Sequence, residues 1–355
     1  MLRIGVNALY LIPGGVGGTE IYLRNLLAAL AEIDPVNQYV VFTNRETGAG
    51  LVPDRPNFVH AGQAVKAAFR PARILWEQLV LPFAIRKYRI QVLLNPGFTT
   101  PLLCGCPMVT VFHDLQHKRH PDYFRWFDLP FWKFFLWAAA WRSRGWIAVS
   151  QATADDLERY YGLSAHVIQH GVEREFFEIS QHREPRDYLL CVSTTHPHKN
   201  LERLLRAHAQ IHAQNNAAPR LVLTGVRGFA AQEIERLASG SVELTGWIPR
   251  EQLYELYRGA LGFIYPSTFE GFGMPVLEAM AAGVPVACSD IPPLREIARS
   301  TVHFFDPASD REIRDALLLL ASGKIPTEAA RRRAAEFSWE KTARATLDYL
   351  NKCSS

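Results

Sequence analysis

The stretch Leu261-Gly262-Phe263-Ile264-Tyr265-Pro266-Ser267-Thr268-Phe269-Glu270-Gly271-Phe272-Gly273-Met274-Pro275-Val276-Leu277-Glu278 reads as a strand, a glycine turn and a helix, in that order. Leu261 to Tyr265 is a continuous apolar run, the pattern of a parallel strand buried on both faces. Pro275 suits the first turn of the helix and Gly283 its end. Glu270 stands just before the glycine turn, and Glu278 lies one turn or so into the helix. Gly271, Phe272 and Gly273 present backbone amides suited to phosphate, while Glu278 can accept two ribose hydroxyls. A pair of carboxylates also serves glycoside hydrolysis, and a helix-capping acid is the plain alternative. The glycine turn between the carboxylates favours a phosphate ligand.

The same alternation extends outward through the chain. Leu2 to Ala8, Tyr39 to Thr43, Val92 to Asn95, Met108 to Phe112 and Trp146 to Val149 read as strands. Helical segments such as Glu20 to Glu32 and Ala72 to Tyr88 separate them. A second set follows: Tyr188 to Val192, Arg220 to Thr224, Val242 to Leu244, Leu261 to Tyr265, Val284 to Ala287 and Val302 to Phe305. This predicts an α/β chain of two Rossmann-like, doubly wound parallel-sheet domains. The first domain is set at 1–172, a polar linker with Pro185 at 173–187, and the second at 188–337. Such sheets place ligands at the carboxyl ends of their strands, so the expected active site is the cleft between two facing domains.

Three further clusters stand at strand ends. Gly14-Gly15-Val16-Gly17-Gly18-Thr19-Glu20 follows the first strand and opens a helix, so its amides can approach phosphate or sugar. The spacing misses the dinucleotide fingerprint G-x-G-x-x-G, and a plain flexible loop is the alternative. His113-Asp114 follows a buried strand, where His113 can meet a sugar hydroxyl or can be a structural histidine paired with Asp114. Ser193-Thr194-Thr195-His196-Pro197-His198-Lys199-Asn200 follows the first strand of the second set. Lys199 there lies near a helix start, where a cation is disfavoured unless an anion binds; a solvated surface lysine is the alternative.

Length and composition bound these readings. The chain has 355 residues, enough for two ordinary domains, and a formal net charge of +4. That mild charge suits an anionic small substrate or an anionic membrane surface, and no nucleic-acid motif accompanies it. The five cysteines include Cys104-Gly105-Cys106, and their spacings fit neither a zinc site nor a disulfide framework. Cys104 and Cys106 read as small apolar residues before a buried strand. A reducing cytoplasm is the expected location, with no signal peptide and no membrane span.

Beyond these physical readings, the run from Glu270 to Val286 resembles the E-x7-E signature of glycosyltransferase family 4, mannosyltransferase-like members included. Val149-Ser150, Gly171-Val172, Thr245-Gly246-Trp247-Ile248 and Ser289-Asp290-Ile291-Pro292 are similar to further family segments. The resemblance implies a GT-B fold and a retaining transfer from a nucleotide diphosphate sugar. It implies that Glu270 contacts the donor sugar, Glu278 the ribose, Lys199 the diphosphate and His113 the sugar near the reacting carbon. By the same resemblance, Gly17 and Gly18 flank the phosphate, Thr194, Trp247, Ile248, Gly271, Phe272 and Gly273 line the donor site, and the last helix, 338–355, crosses back to complete the first domain. In one departure, Thr194 stands where many members carry an arginine five residues before the lysine; His196, His198 and Arg227 are candidates to replace it. The form T-x-x-P-x-K-N at Thr194 to Asn200 resembles mannosyl-transferring members and points to GDP-mannose.

The expected chemistry needs no metal and no cofactor. Lys199 and the glycine-turn amides stabilise the leaving diphosphate, and no D-x-D segment ends a strand of the second half. Rival classes are a nucleotide-sugar epimerase and a non-catalytic sugar-nucleotide-binding protein. The expected acceptor is a glycan or a polyprenyl-linked glycan, reached from the membrane surface. Two segments carry that last expectation: Lys66 to Ile90, with Lys66, Arg70, Arg73, Arg86, Lys87 and Arg89, and Phe124 to Trp146, rich in Trp and Phe. The alternative is that these aromatics pack inward.

Overall fold

The structure, a computed structural model, describes residues 1–355 apart from Val16, Phe98, Arg125, 215–217, Ser239 and Ser355. Val16 of the glycine run therefore lies outside the described residues. The chain divides into two compact units, residues 1–171 with 339–355, and residues 172–338.

The first unit holds a sheet of β1 (Arg3–Ala8), β2 (Gln38–Thr43), β3 (Phe58–Gly62), β4 (Val92–Asn95), β5 (Met108–Phe112), β6 (Gly145–Ala148) and β7 (His166–Val167). Their order is β3-β2-β1-β4-β5-β6-β7, and every pairing is parallel. The order reverses between β1 and β4, which opens the crevice of a doubly wound sheet at their carboxyl ends. The second unit holds β8 (Tyr188–Val192), β9 (Arg220–Thr224), β10 (Val242–Gly246), β11 (Gly262–Tyr265), β12 (Val286–Ser289) and β13 (His303–Phe305). Their order is β10-β9-β8-β11-β12-β13, again parallel, with the reversal between β8 and β11.

The inner strands follow from their composition. β5 is Met-Val-Thr-Val-Phe with every residue buried, and β12 is Val-Ala-Cys-Ser, likewise buried. Two outer strands, β3 and β7, escaped the sequence reading. β3 is edge-like, with exposed His60 and Gly62 beside buried Phe58 and Ala61, and β7 is two residues long. The helix expected over Ala72 to Tyr88 is two helices, Arg70–Leu79 and Leu81–Lys87. Pro82 has no amide hydrogen to carry the first helix on, so it opens the second instead.

The expected linker 173–187 is corrected by the structure. Its first part forms the helix Arg174–Ile179, whose Phe176 and Ile179 are 0% and 3% exposed within the second unit. Apolar side chains at helical spacing outweigh the charges between them. Cys104 and Cys106, with sulfurs 3.4 Å apart, pack against the first unit's core.

The last helix, Trp339–Ser354, packs in the first unit. The Tyr349 hydroxyl accepts a hydrogen bond from the Trp146 amide at 3.2 Å, and Thr342 Oγ1 donates to the Gln169 carbonyl at 2.7 Å. Gly145 explains the close approach, because a Cβ there would stand 2.6 Å from Cys353 Sγ. Among the described residues, no helix is long and apolar enough to cross a membrane.

Candidate active site

In the second unit, the loops after β8 and β11 meet where the strand order reverses. Asn200, in the left-handed conformation at φ 54°, turns the first loop into the helix Leu201–Gln214. Its Nδ2 donates to the carbonyls of Pro266 at 3.1 Å and Pro307 at 2.8 Å. The Thr268 amide donates to the His198 carbonyl at 2.8 Å. These bonds tie the loops together and bring Lys199 to Glu270. Lys199 Nζ donates to Glu270 Oε1 at 2.6 Å and to the Tyr265 hydroxyl at 3.1 Å. Burial alone would raise the Glu270 carboxyl, but Lys199 and then His198 outweigh it and hold the group below the ordinary carboxylate range. The site is a buried carboxylate kept ionised by a lysine.

Behind it, the helix Met274–Ala281 starts from Gly273 at φ 110°. Only glycine is at ease there: the angle disfavours a side chain, and a Cβ would stand 2.3 Å from Leu294 Cδ2. Phe272 is 5% exposed and its ring meets Phe337, so it offers the site its backbone and not its side chain.

Glu278 is 4% exposed. Its Oε1 accepts from Arg250 Nη2 at 2.8 Å and its Oε2 from the Tyr257 hydroxyl at 3.0 Å. Arg250 also binds Glu173 Oε2 at 2.9 Å, and Tyr254 donates to that oxygen at 2.6 Å. Burial, reinforced by Glu173, raises the Glu278 carboxyl despite Arg250. Burial lowers Arg250, but the two carboxylates outweigh it and fix its charge. The expected bidentate grip on ribose therefore meets a carboxylate that already holds one protein donor on each oxygen, leaving one lone pair on each.

Around the Thr194 position, Thr195 Oγ1 accepts from the Gly228 amide at 2.6 Å. Of the candidates to replace the arginine, Arg227 pairs with Glu235 at 2.6 Å and His196 packs edge-on against Phe229. His198 is the one that acts on Glu270. Trp247 is 59% exposed, and Ile248 beside it is half-buried.

In the first unit, His113 follows β5 and is 8% exposed. Its Nε2–H donates to the Pro96 carbonyl at 2.8 Å, which fixes the tautomer and leaves Nδ1 as the acceptor of the neutral ring. Burial pulls its pKa down to about 4. Asp114 accepts from the Gln116 amide at 2.9 Å, forming a turn. Gly17 caps the helix Gly18–Ile33 at φ 59°, and among the described residues a Cβ on Gly17 or Gly18 would meet nothing within 4 Å. Glu20 holds the loop from inside, accepting from the Gly14 amide at 2.8 Å and from Arg24 Nε at 2.8 Å.

The sequence reading named Lys199, Glu270 and Glu278; the structure surrounds them with Tyr265, Arg250, Tyr257 and Glu173, which that reading did not name. Tyr265 and Arg250 sat inside expected elements, and Glu173 in the expected linker. Tyr265 ends β11, Arg250 opens the helix Arg250–Gly259, and Glu173 follows Val172. Among the described residues, no group of three or more His, Cys, Asp or Glu could hold a metal ion.

The family models decide the classification. "Glycosyltransferase Family 4" matches residues 16–176, and "Glycosyl transferases group 1" matches residues 172–337. The chain belongs to glycosyltransferase family 4. Among curated relatives, this family 4 chain is 34% identical over 170 residues to the O-antigen chain mannosyltransferase B of Escherichia coli, covering 45% of each chain. It is 27% identical over 227 residues to the O-antigen chain mannosyltransferase RfbU of Salmonella typhimurium, covering 62% of each. The matches thus span less than two thirds of these relatives' length. Among solved structures, sucrose-phosphate synthase from Thermosynechococcus elongatus superposes with a TM-score of 0.80 at 18% identity, over 99% of each chain. Anabaena HepE in complex with UDP and glucose gives 0.72 at 18% identity, over 99% of this family 4 chain and 100% of that one. At that identity the likeness shows the fold alone, which is GT-B.

Proposed function

We propose that this family 4 chain transfers a mannosyl group from GDP-mannose to a glycan acceptor, with retention of anomeric configuration. The observation that carries the reading is the Lys199–Glu270 pair, joined where strand order reverses in the second unit. Mannose is supported by the relatives, two of which are O-antigen chain mannosyltransferases.

In this reading the bond between the anomeric carbon and the diphosphate oxygen breaks, and a bond from that carbon to an acceptor hydroxyl oxygen forms on the same face. The hydroxyl proton passes to the leaving phosphate oxygen. Lys199 offers its charge to the diphosphate, as do the amides of Gly271 and Gly273 and the helix start at Met274. Glu270 orders the lysine and accepts from sugar hydroxyls. His113, kept neutral by burial, meets the sugar near the reacting carbon, and Gly17 and Gly18 leave room for phosphate. Glu278 takes ribose hydroxyls on its remaining lone pairs. Lysine and oriented amides fill the place a metal takes elsewhere, so the reading is metal-independent.

The acceptor is proposed to be lipid-linked and reached by docking of the first unit on an anionic membrane. Trp126, Phe127, Phe134 and Trp137 are 84%, 56%, 48% and 49% exposed, with Arg142 and Arg144 exposed nearby. Such aromatics suit the interfacial layer. Arg73 leaves the set of lipid-facing cations, because it is 7% exposed.

A thermal-shift screen with GDP, UDP, ADP and dTDP sugars tests the donor, since a ligand of the folded state raises the melting temperature. GDP-mannose is expected to give the largest shift and, with acceptor, to release GDP and an α-mannoside. Release of an epimerised sugar from donor alone, or donor binding without any release, overturns the transferase reading.

A further inference from the structure

Arg73 lies in the helix Arg70–Leu79 and is 7% exposed. A guanidinium carries five N–H donors and holds its charge at any ordinary pH, so burial normally demands partners. No direct contact supplies them: among the described residues its side chain donates no hydrogen bond and has no carboxylate within ion-pair distance. Glu77, one turn along the same helix, is the natural counterion, but its oxygens are engaged elsewhere. Oε1 accepts from Asn7 at 2.8 Å and Oε2 from Thr99 at 2.7 Å. Burial raises the Glu77 carboxyl and the Arg73 charge acts against it, so the two groups act on each other across space without an ion-pair contact. Arg70 adds a like charge, pairs with Asp128 at 3.5 Å and lies over the Phe131 and Trp132 rings.

The position of this cation is informative. Asn7 belongs to β1, Asn95 to β4, and Asn7 Nδ2 donates to Asn95 Oδ1 at 3.1 Å. Glu77 is bonded to that pair, so Arg73 stands beside the reversal point of the first sheet. Tyr10, two residues past the end of β1, donates to the Thr19 carbonyl at 3.2 Å. The start of the helix Gly18–Ile33 is thus tied to the same end of β1, and among the described residues Gly17 and Gly18 leave open space there.

We propose that Arg73 is the receptor for an oxyanion, a phosphate group carried by the acceptor, at the β1–β4 reversal point of the first unit. Its planar fork matches phosphate bidentately, and such charge-assisted pairs are the strong ones. An unfilled site explains why the guanidinium is largely buried yet, among the described residues, donates no side-chain hydrogen bond. The anion site stands on the geometry alone; its attribution to the acceptor rests on the transferase reading.

The test uses the full chain, with inorganic diphosphate as the probe, in wild type, Arg73→Gln and Lys199→Ala. Calorimetric titration should show a binding event that Lys199→Ala keeps and Arg73→Gln weakens by about 10-fold or more. Arg73→Gln should melt close to wild type without ligand, because no side-chain hydrogen bond or ion-pair contact is broken. Melting well below wild type, or wild-type diphosphate affinity, overturns the site. Competition by a short-chain prenyl diphosphate that depends on Arg73 assigns the anion to a lipid carrier, and competition by a hexose phosphate assigns it to a phosphorylated sugar. Competition by neither overturns the attribution to an acceptor. A chain that binds diphosphate through Arg73 but transfers no sugar keeps the site and refutes only the transferase.

Discussion

Lys199 Nζ and Glu270 Oε1 stand 2.6 Å apart with their side chains 12% and 10% exposed, so neither can lose the other without leaving a sheltered charge unpaired. Lys199→Ala and Glu270→Ala should each cost about 3–5 kcal/mol of stability. The double variant Lys199→Met with Glu270→Gln should cost less than the sum. Denaturant unfolding of the three chains measures this, and strict additivity would refute the coupling. Turnover of either single variant should fall about 10²- to 10³-fold. The Glu270 carboxyl is held low in the native state, so the pair's stabilisation is complete above the ordinary carboxylate pKa. It fades as pH falls through the depressed native value.

Arg250 neutralises two carboxylates at once, Glu173 and Glu278. Arg250→Met should destabilise the second unit by roughly 3–5 kcal/mol. Glu278→Gln keeps the shape and removes a charge that burial already disfavours, so its stability change should be small. Its donor dissociation constant should rise instead. An unchanged constant takes Glu278 away from the ribose.

Two glycines separate backbone need from ligand need. Gly273→Ala meets both a positive φ and Leu294, and should cost at least about 1–3 kcal/mol. Gly18→Ala meets open space without a positive φ, and should stabilise by about 0.4–1 kcal/mol while weakening donor binding. If the Gly18→Ala chain binds donor as wild type does, the phosphate lies elsewhere.

His113 is buried neutral, with its pKa pulled down to about 4. Above the ordinary histidine pKa it is neutral in both folded and unfolded chains and carries no pH-dependent term. As pH falls below about 6.5, the unfolded chain takes the proton first and stability drops, until the native ring protonates near 4. The whole window is worth about 3 kcal/mol. Melting curves from pH 7 to pH 4.5 should therefore fall less steeply for His113→Gln, whose amide can still donate to Pro96. Parallel curves would show that His113 is not the titrating group.

The exposed aromatics give a separate test in vesicle sedimentation. Binding to anionic vesicles should fall with salt and with Trp126→Ser and Trp137→Ser together. Failure to sediment at low salt removes the membrane and favours a soluble acceptor.

The inner strands and the run from Glu270 to Glu278 were legible because their signals are local. Continuous apolar residues mark a buried parallel strand, and one glycine turn joins strand to helix. The ring of partners was not legible, because each comes from another part of the chain. Arg250 is 28 positions from Glu278 and 77 from Glu173, and only the folding of β10 and β11 into one sheet brings them together. Arg73 was hidden by its neighbours: in a row with Lys66, Arg70 and Arg86 it reads as one more surface cation. Which face of its helix turns inward is decided by Asn7 and Asn95, residues at the ends of other strands.

The helix Trp339–Ser354 belongs to a unit whose remaining residues all lie before position 172. On the ribosome, residues 172–338 must be added before that helix exists, which takes on the order of 10–30 s at about 5–20 residues per second. For that interval the nascent first unit lacks the cover that Tyr349, Thr342 and Cys353 give to Trp146, Gln169 and Gly145. The second unit, contiguous in the chain, has no such wait once it has emerged, so the unit begun first is finished last.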